Sequence, residues 1–145
     1  MVVVDANAVI PWVQTKTGYM PEILPHAVIA APNLIEVLHG GSADYRWPPE
    51  QIRDWVLGTG VAIENRLTDG DAVRAAHLIL ASKARPGPTK SETLSLGDAA
   101  CIAVAERLDL PILTTDPLFA RFAHVDVLDT RTLIGHLRGS CVPSA

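Results

Sequence analysis

The chain has 145 residues, 48% hydrophobic and 19% charged, which suits one domain with a sizeable core and excludes wholesale disorder. Twelve Lys and Arg face 16 Asp and Glu, a net charge of −4, which excludes a protein that coats nucleic acid by bulk charge but not one that acts on it locally. Mean hydropathy is +0.23, yet the longest stretch free of charge is 13 residues, Ile23 to Ile35, interrupted by Pro25 and Pro32; no bilayer span or secretory leader is visible, so a cytoplasmic protein is expected.

Val2-Val3-Val4 is a β-branched run too short to bury except as a central strand. Asp5 ends it, and Asn7 is placed to cap a helix from Ala8, with Pro11 still inside the first turn. Val28 to Ala31 reads as a second strand. Pro32 then opens a helix to about His39, stopped by Gly40-Gly41. Pro48-Pro49 begins another, with Ile52, Trp55 and Val56 at helical spacing, ending at Gly58. Val61 to Ile63 is a third strand. Thr68 opens a long helix whose apolar stripe is Ala72, Ala75, Ala76, Ile79 and Leu80.

Lys83 to Thr93 carries two prolines and a glycine and reads as a loop. Ser95 starts a helix to about Arg107, in which Cys101 is a small buried hydrophobe. Cys101 and Cys141 are the only cysteines, so neither a disulfide framework nor structural zinc is expected. Pro111 to Thr114 is a strand, Pro117 to Phe122 a short helix, Val125 to Leu128 a strand and Thr132 to Leu137 a closing helix. Short apolar strands alternating with helices imply an α/β fold with a mainly parallel sheet. The working crevice of such a sheet lies at the carboxyl ends of its strands.

That rule singles out four acids. Asp5 follows the first strand, and Asp116 follows the Pro111–Thr114 strand. Glu36 lies one turn into the helix after the second strand, and Asp98 lies in the first turn of the helix from Ser95. Four converging carboxylates repel, and the usual remedy is a divalent cation. Oxygen ligands without Cys or paired His select hard ions, hence Mg²⁺ or Mn²⁺, which suit phosphodiester cleavage. Each acid also has a plainer role. Asp116 before Pro117 fits a helix cap, and Ser95-x-x-Asp98 fits a capping box. Glu36 faces away from Leu34, Ile35, Val37 and Leu38, as a solvated residue does. Asp5 is the sharpest candidate, because an acid ending a buried strand is unfavourable without a partner or an ion.

Four stretches carry a family resemblance: Val2-Val-Val-Asp-Ala-Asn-Ala-Val, Pro32-Asn-Leu-Ile-Glu-Val-Leu, Leu94-Ser-Leu-Gly-Asp-Ala-Ala-Cys-Ile-Ala-Val-Ala and Leu110-Pro-Ile-Leu-Thr-Thr-Asp. In this order the chain resembles a PIN-domain ribonuclease, more narrowly a VapC-type toxin of a type II toxin–antitoxin system. The resemblance runs from Val2 to about Leu128 and implies a single PIN domain, a three-layer sandwich with helices on both faces of the sheet. It implies an endoribonuclease dependent on Mg²⁺ or Mn²⁺, whose metal-holding and catalytic quartet falls on Asp5, Glu36, Asp98 and Asp116. Asn7, Ser95, Thr114 and Thr115 would orient ligands and water. Two departures stand out: Asn7 replaces a more usual Ser or Thr, and Pro117 follows Asp116 where a polar residue is commoner.

The same resemblance implies a homodimer and a cognate antitoxin, seated near the helices of Glu36 and Pro48–Gly58 with a residue inserted into the active site. Lys83, Arg85 and Lys90, around the Pro-Gly-Pro loop, are the candidate RNA contacts, though a solvated loop also needs charge. Trp47 and Trp55, near Arg46 and Arg53, are either a partner surface or, for Trp55 above all, core or dimer face. Two rivals remain. A receiver-type signalling domain lacks here its paired acid and its strand-end lysine. A catalytically silent binding module of the same fold would hold metal without cutting RNA.

Overall fold

Val2–Val4 (β1) is fully enclosed, and the pleat sends its side chains in two directions. Val2 and Val4 enter one apolar core, and Val3 enters another. A strand buried on both faces has no polar side to alternate, which explains three consecutive valines. The computed structural model describes residues 1–43, 46–85 and 92–139.

After β1 come α1 (Ala6–Thr15), a short α2 (Met20–Ile23) and a 3-10 turn at Leu24–His26. β2 (Ala27–Ala30), α3 (Ala31–Gly41), α4 (Pro49–Leu57) and β3 (Ala62–Glu64) follow. Then come α5 (Asp69–Ala84), α6 (Leu96–Leu108), β4 (Ile112–Leu113), α7 (Phe119–Phe122), β5 (Val127–Leu128) and α8 (Thr130–Gly139). The strands form one sheet in the order β3-β2-β1-β4-β5, every pair parallel. Helices α1, α3, α4 and α8 contribute to the core holding Val2 and Val4, and α5, α6 and α7 to the core holding Val3. This is the expected α/β three-layer sandwich. Among the described residues, no helix is long and apolar enough to cross a membrane.

Several local expectations change. The first helix starts at Ala6, not Ala8, so Asp5 rather than Asn7 occupies its N-cap position. The segment Met20–His26, read from sequence as no regular element, is helical. α3 runs through Gly40-Gly41 and ends there, two residues later than expected. A Cβ at Gly41 would sit 2.6 Å from Val13 Cγ1 and 2.8 Å from Ile52 Cδ1. The glycines therefore let α1 and α4 approach α3 closely, and packing outweighs their low helix propensity. On α5 the buried positions are Asp71, Leu78 and Ser82, while Leu80 is 64% exposed. Of the expected stripe, Ala75 and Ile79 pack partly buried against the core, while Ala72 and Ala76 are exposed and line a groove.

α5 and α6 run antiparallel, held at both ends. Arg107 Nε donates to Asp71 Oδ2 at 3.0 Å and Arg74 Nε to Glu106 Oε1 at 2.6 Å. At the other end the buried Ser82 hydroxyl accepts from Leu94 N at 3.0 Å. Since α6 begins at the carboxyl edge of the sheet, α5 brings its last turn, with exposed Lys83 and Arg85, to that same edge. Lys90 and Cys141 lie outside the described residues; Cys101 is buried, as expected.

Candidate active site

The register of the sheet places the first two acids. Val4 pairs with Leu113, and Asp5 N donates to Leu113 O at 2.9 Å, so Asp5 and Thr114 leave adjacent strands side by side. The Thr114 hydroxyl donates to Asp5 Oδ2 at 2.8 Å and accepts from Asp116 N at 3.0 Å. One threonine thus fixes the Asp5 carboxyl and the turn that carries Asp116. Asp116 Oδ1 in turn accepts from Leu118 N at 2.9 Å, which closes the turn before α7; the helix starts at Phe119 and not at Pro117, so Asp116 is not its N-cap.

Asp98 enters from α6. Ser95 caps that helix, with its hydroxyl accepting from Asp98 N at 3.1 Å while Ser95 N donates to Asp98 Oδ2 at 2.9 Å, a complete capping box. Capping and facing the other acids are compatible, because only one carboxylate oxygen is occupied and the helix N-terminus favours negative charge. Glu36 enters from α3 half-buried, rather than solvated as its helical wheel suggests, while Ile35 beside it is 68% exposed. The wheel placed Leu34, Ile35, Val37 and Leu38 inward; Val37 is buried and Leu34 and Leu38 pack against the core, but Ile35 turns out to solvent and Asn33 is buried.

Asn33 and Gly97 complete this corner. Asn33 is fully buried, and its Nδ2 donates to Gly97 O at 3.0 Å. Its Oδ1 has no hydrogen-bond partner among the described residues. The Glu36 carboxylate lies against the Cα of Gly97, where a Cβ would overlap Oε1 and come within 2.7 Å of Cδ. Sequence reading passed over both. The available signals were the three-residue spacing of Asn33 and Glu36, which puts them on one helix face, and a glycine in the first turn of a helix, where it is otherwise unfavourable.

The acids influence one another. Burial drives the Asp5 carboxyl up from 3.8 to about 7; the Thr114 hydrogen bond opposes this, and Asp98 and Glu36 push it further up. Burial raises Glu36, and Asp98 adds to the shift. Burial also raises Asp98 against the pull of its Ser95 hydrogen bonds, with repulsion from Asp116 added. The Cys101 thiol, one turn along α6, is pushed well up by burial and by Asp5, Asp98 and Glu36, so it stays protonated. Asp5, Glu36 and Asp98 therefore share one region, with Asp116 beside Asp98. Asn7 and Thr115 are exposed and bond none of these acids among the described residues.

As the side chains stand, no three His, Cys, Asp or Glu among the described residues are spaced to enclose a metal ion. The donor set nevertheless fits a hard divalent cation. All its donors are carboxylate oxygens, and no Lys or Arg among the described residues offsets the charge on Asp5, Glu36 or Asp98. Asp5 Oδ1 is buried without a hydrogen-bond partner among those residues. An ionised carboxylate in that position calls for a proton or a cation.

Two apolar hollows flank this site. One, about 640 Å³, is lined by Pro32, Ile35, Leu67, Ile79 and Leu96, with Glu36 on its wall. The other, about 680 Å³, lies between α3 and α4 and includes Ile35, Leu38, His39, Trp47 and Pro48. Trp55 packs partly buried against the core, 5.1 Å edge-on from Trp47, with Lys16 Nζ 3.4 Å above its ring.

Residues 2–125 match the family described as PIN domain. No curated protein sequence matches the chain. Solved structures do. PAE2754 from Pyrobaculum aerophilum aligns with a TM-score of 0.67 and 15% identity, over 95% of each chain. DNA-bound VapBC from Salmonella typhimurium aligns at 0.64 and 21% identity, over 89% of this chain and 98% of that one. A toxin–antitoxin complex from Klebsiella pneumoniae aligns at 0.59 and 23% identity, over 88% and 96%. At these identities the likeness is one of fold.

Proposed function

Because the chain belongs to the PIN domain family, whose members are typically nucleases, we propose that it is an endoribonuclease dependent on Mg²⁺ or Mn²⁺, the toxin of a toxin–antitoxin pair. The observation that carries this is the meeting of Asp5, Glu36 and Asp98, from three separate segments, with a buried Asp5 oxygen that no described protein group satisfies. A bound divalent ion supplies a Lewis acid that offsets phosphoryl charge and makes water more acidic. Asp5 and Asp98 are its principal holders, each with one oxygen tied back by Thr114 or Ser95 and the other left for the ion. Glu36, whose carboxyl is raised by burial and by Asp98, is suited to take a proton. Asp116 completes the rim.

Lys83 and Arg85, exposed at the end of α5, are placed to meet RNA phosphates on an otherwise acidic chain. The hollow bearing Leu96, itself 80% exposed, suits a second copy of the chain. The α3–α4 hollow suits an apolar segment of a partner, and the similar structures that are toxin–antitoxin complexes support an antitoxin as that partner. The protein would act in the cytoplasm.

The test is cleavage of total bacterial RNA by the purified protein with Mn²⁺, beside EDTA and Asp98→Asn controls. Discrete fragments lost in both controls support the proposal. Metal binding without cleavage would leave a catalytically silent binding module.

A further inference from the structure

We propose that Gly97 and Asn33 are positioning residues that seat the Glu36 carboxylate against Asp98. The inference rests on the acidic-site reading and deepens it. Three carboxyls meet where the start of α6 faces the middle of α3, and when ionised they repel, which opposes the contact of the two helices. A polar tie crosses that seam, from the buried Asn33 Nδ2 to Gly97 O at 3.0 Å. Asn33 stands three residues before Glu36, on the same helix face, so its bond to α6 also fixes the approach of Glu36. Gly97 immediately precedes Asp98, and its bare Cα is the surface on which the Glu36 carboxylate lies. Neither residue needs to touch substrate to act, since both work through Glu36.

The glycine separates positioning from mere packing. What a Cβ at 97 would displace is the tip of a flexible side chain, not backbone. Glu36 can swing away at little cost to the fold, and alanine is a better helix former than glycine. Gly97→Ala should therefore keep or raise the melting temperature while weakening the site. Outer residues that orient metal ligands typically matter tenfold to a hundredfold in affinity.

The experiment is Mn²⁺ titration by calorimetry into metal-free full-length protein, with thermal melting of each variant. Gly97→Ala is expected to raise the Mn²⁺ dissociation constant at least tenfold with no loss of melting temperature. Asn33→Ala is expected to raise it similarly, with a lower melting temperature. Asp71→Asn, which breaks the buried pair with Arg107 at the far end of α6, is expected to lower the melting temperature and leave Mn²⁺ affinity alone. In a Glu36→Ala background, Gly97→Ala should add nothing. Wild-type affinity in Gly97→Ala, or an undiminished Gly97→Ala effect without Glu36, overturns the positioning role while the acidic site stands. A wild-type protein that binds no Mn²⁺ overturns the site itself, and the positioning role with it.

Discussion

Replacing Asp5 by asparagine should make the metal-free protein more stable at alkaline pH, although Asp5 is among the most buried residues of the fold. The Asp5 carboxyl titrates at about 7 in the native state against an ordinary 3.8. At about 1.4 kcal/mol per tenfold change in proton affinity, that gap corresponds to about 4 kcal/mol. The native protein holds this proton between pH 4 and pH 7, where the unfolded chain has released it. Asp5 therefore costs nothing below pH 4, destabilises progressively as pH rises to 7, and exerts its full cost above that. The amide of the variant does not titrate. In EDTA, Asp5→Asn should match the wild type near pH 4 and exceed it by about 2–4 kcal/mol at pH 8.5, measured by urea unfolding. Added Mn²⁺ should stabilise the wild type and not the variant, in proportion to the logarithm of ligand over dissociation constant. A variant equally or less stable at pH 8.5, or an advantage independent of pH, would refute the reasoning.

Other consequences are open to simpler tests. Gly41→Ala forces a methyl against Val13 and Ile52 and should lower urea stability by about 1–3 kcal/mol. Charge reversal of Lys83 and Arg85 together should weaken RNA binding and flatten its salt dependence, with Mn²⁺ affinity unchanged; an unaltered salt slope removes them from the RNA path. Leu96→Glu with Ile35→Glu should shift the protein to monomer in light scattering, and a wild type already monomeric at the same concentration dismisses that face as a dimer contact.

Much of the layer order was legible in sequence because strands buried on both faces leave unbroken apolar runs. Val2–Val4 and Ile112–Leu113 show this, and their endings pointed to Asp5 and to the Thr114–Asp116 turn. The capping boxes at Thr68 and Ser95 were equally readable, being local hydrogen-bond patterns. What escaped depends on distant neighbours. Gly40 and Gly41 look like no more than a helix stop until α1 and α4 are seen pressing on them. Glu36 looks solvated until α6 packs beside α3, and Asn33 has no meaning without Gly97, 64 residues away in the chain. The stripe on α5 was only partly legible for the same reason: Ala75 and Ile79 pack beside Leu78 against the core, while Ala72, Ala76 and Leu80 are exposed.

The central claim is that these carboxylates hold a divalent cation, and anomalous diffraction from crystals soaked in Mn²⁺ tests it most directly. A peak is expected between Asp5 and Asp98, bordered by Glu36 and Asp116, and absent from Asp98→Asn crystals. A peak elsewhere, or one that persists in the variant, would contradict it.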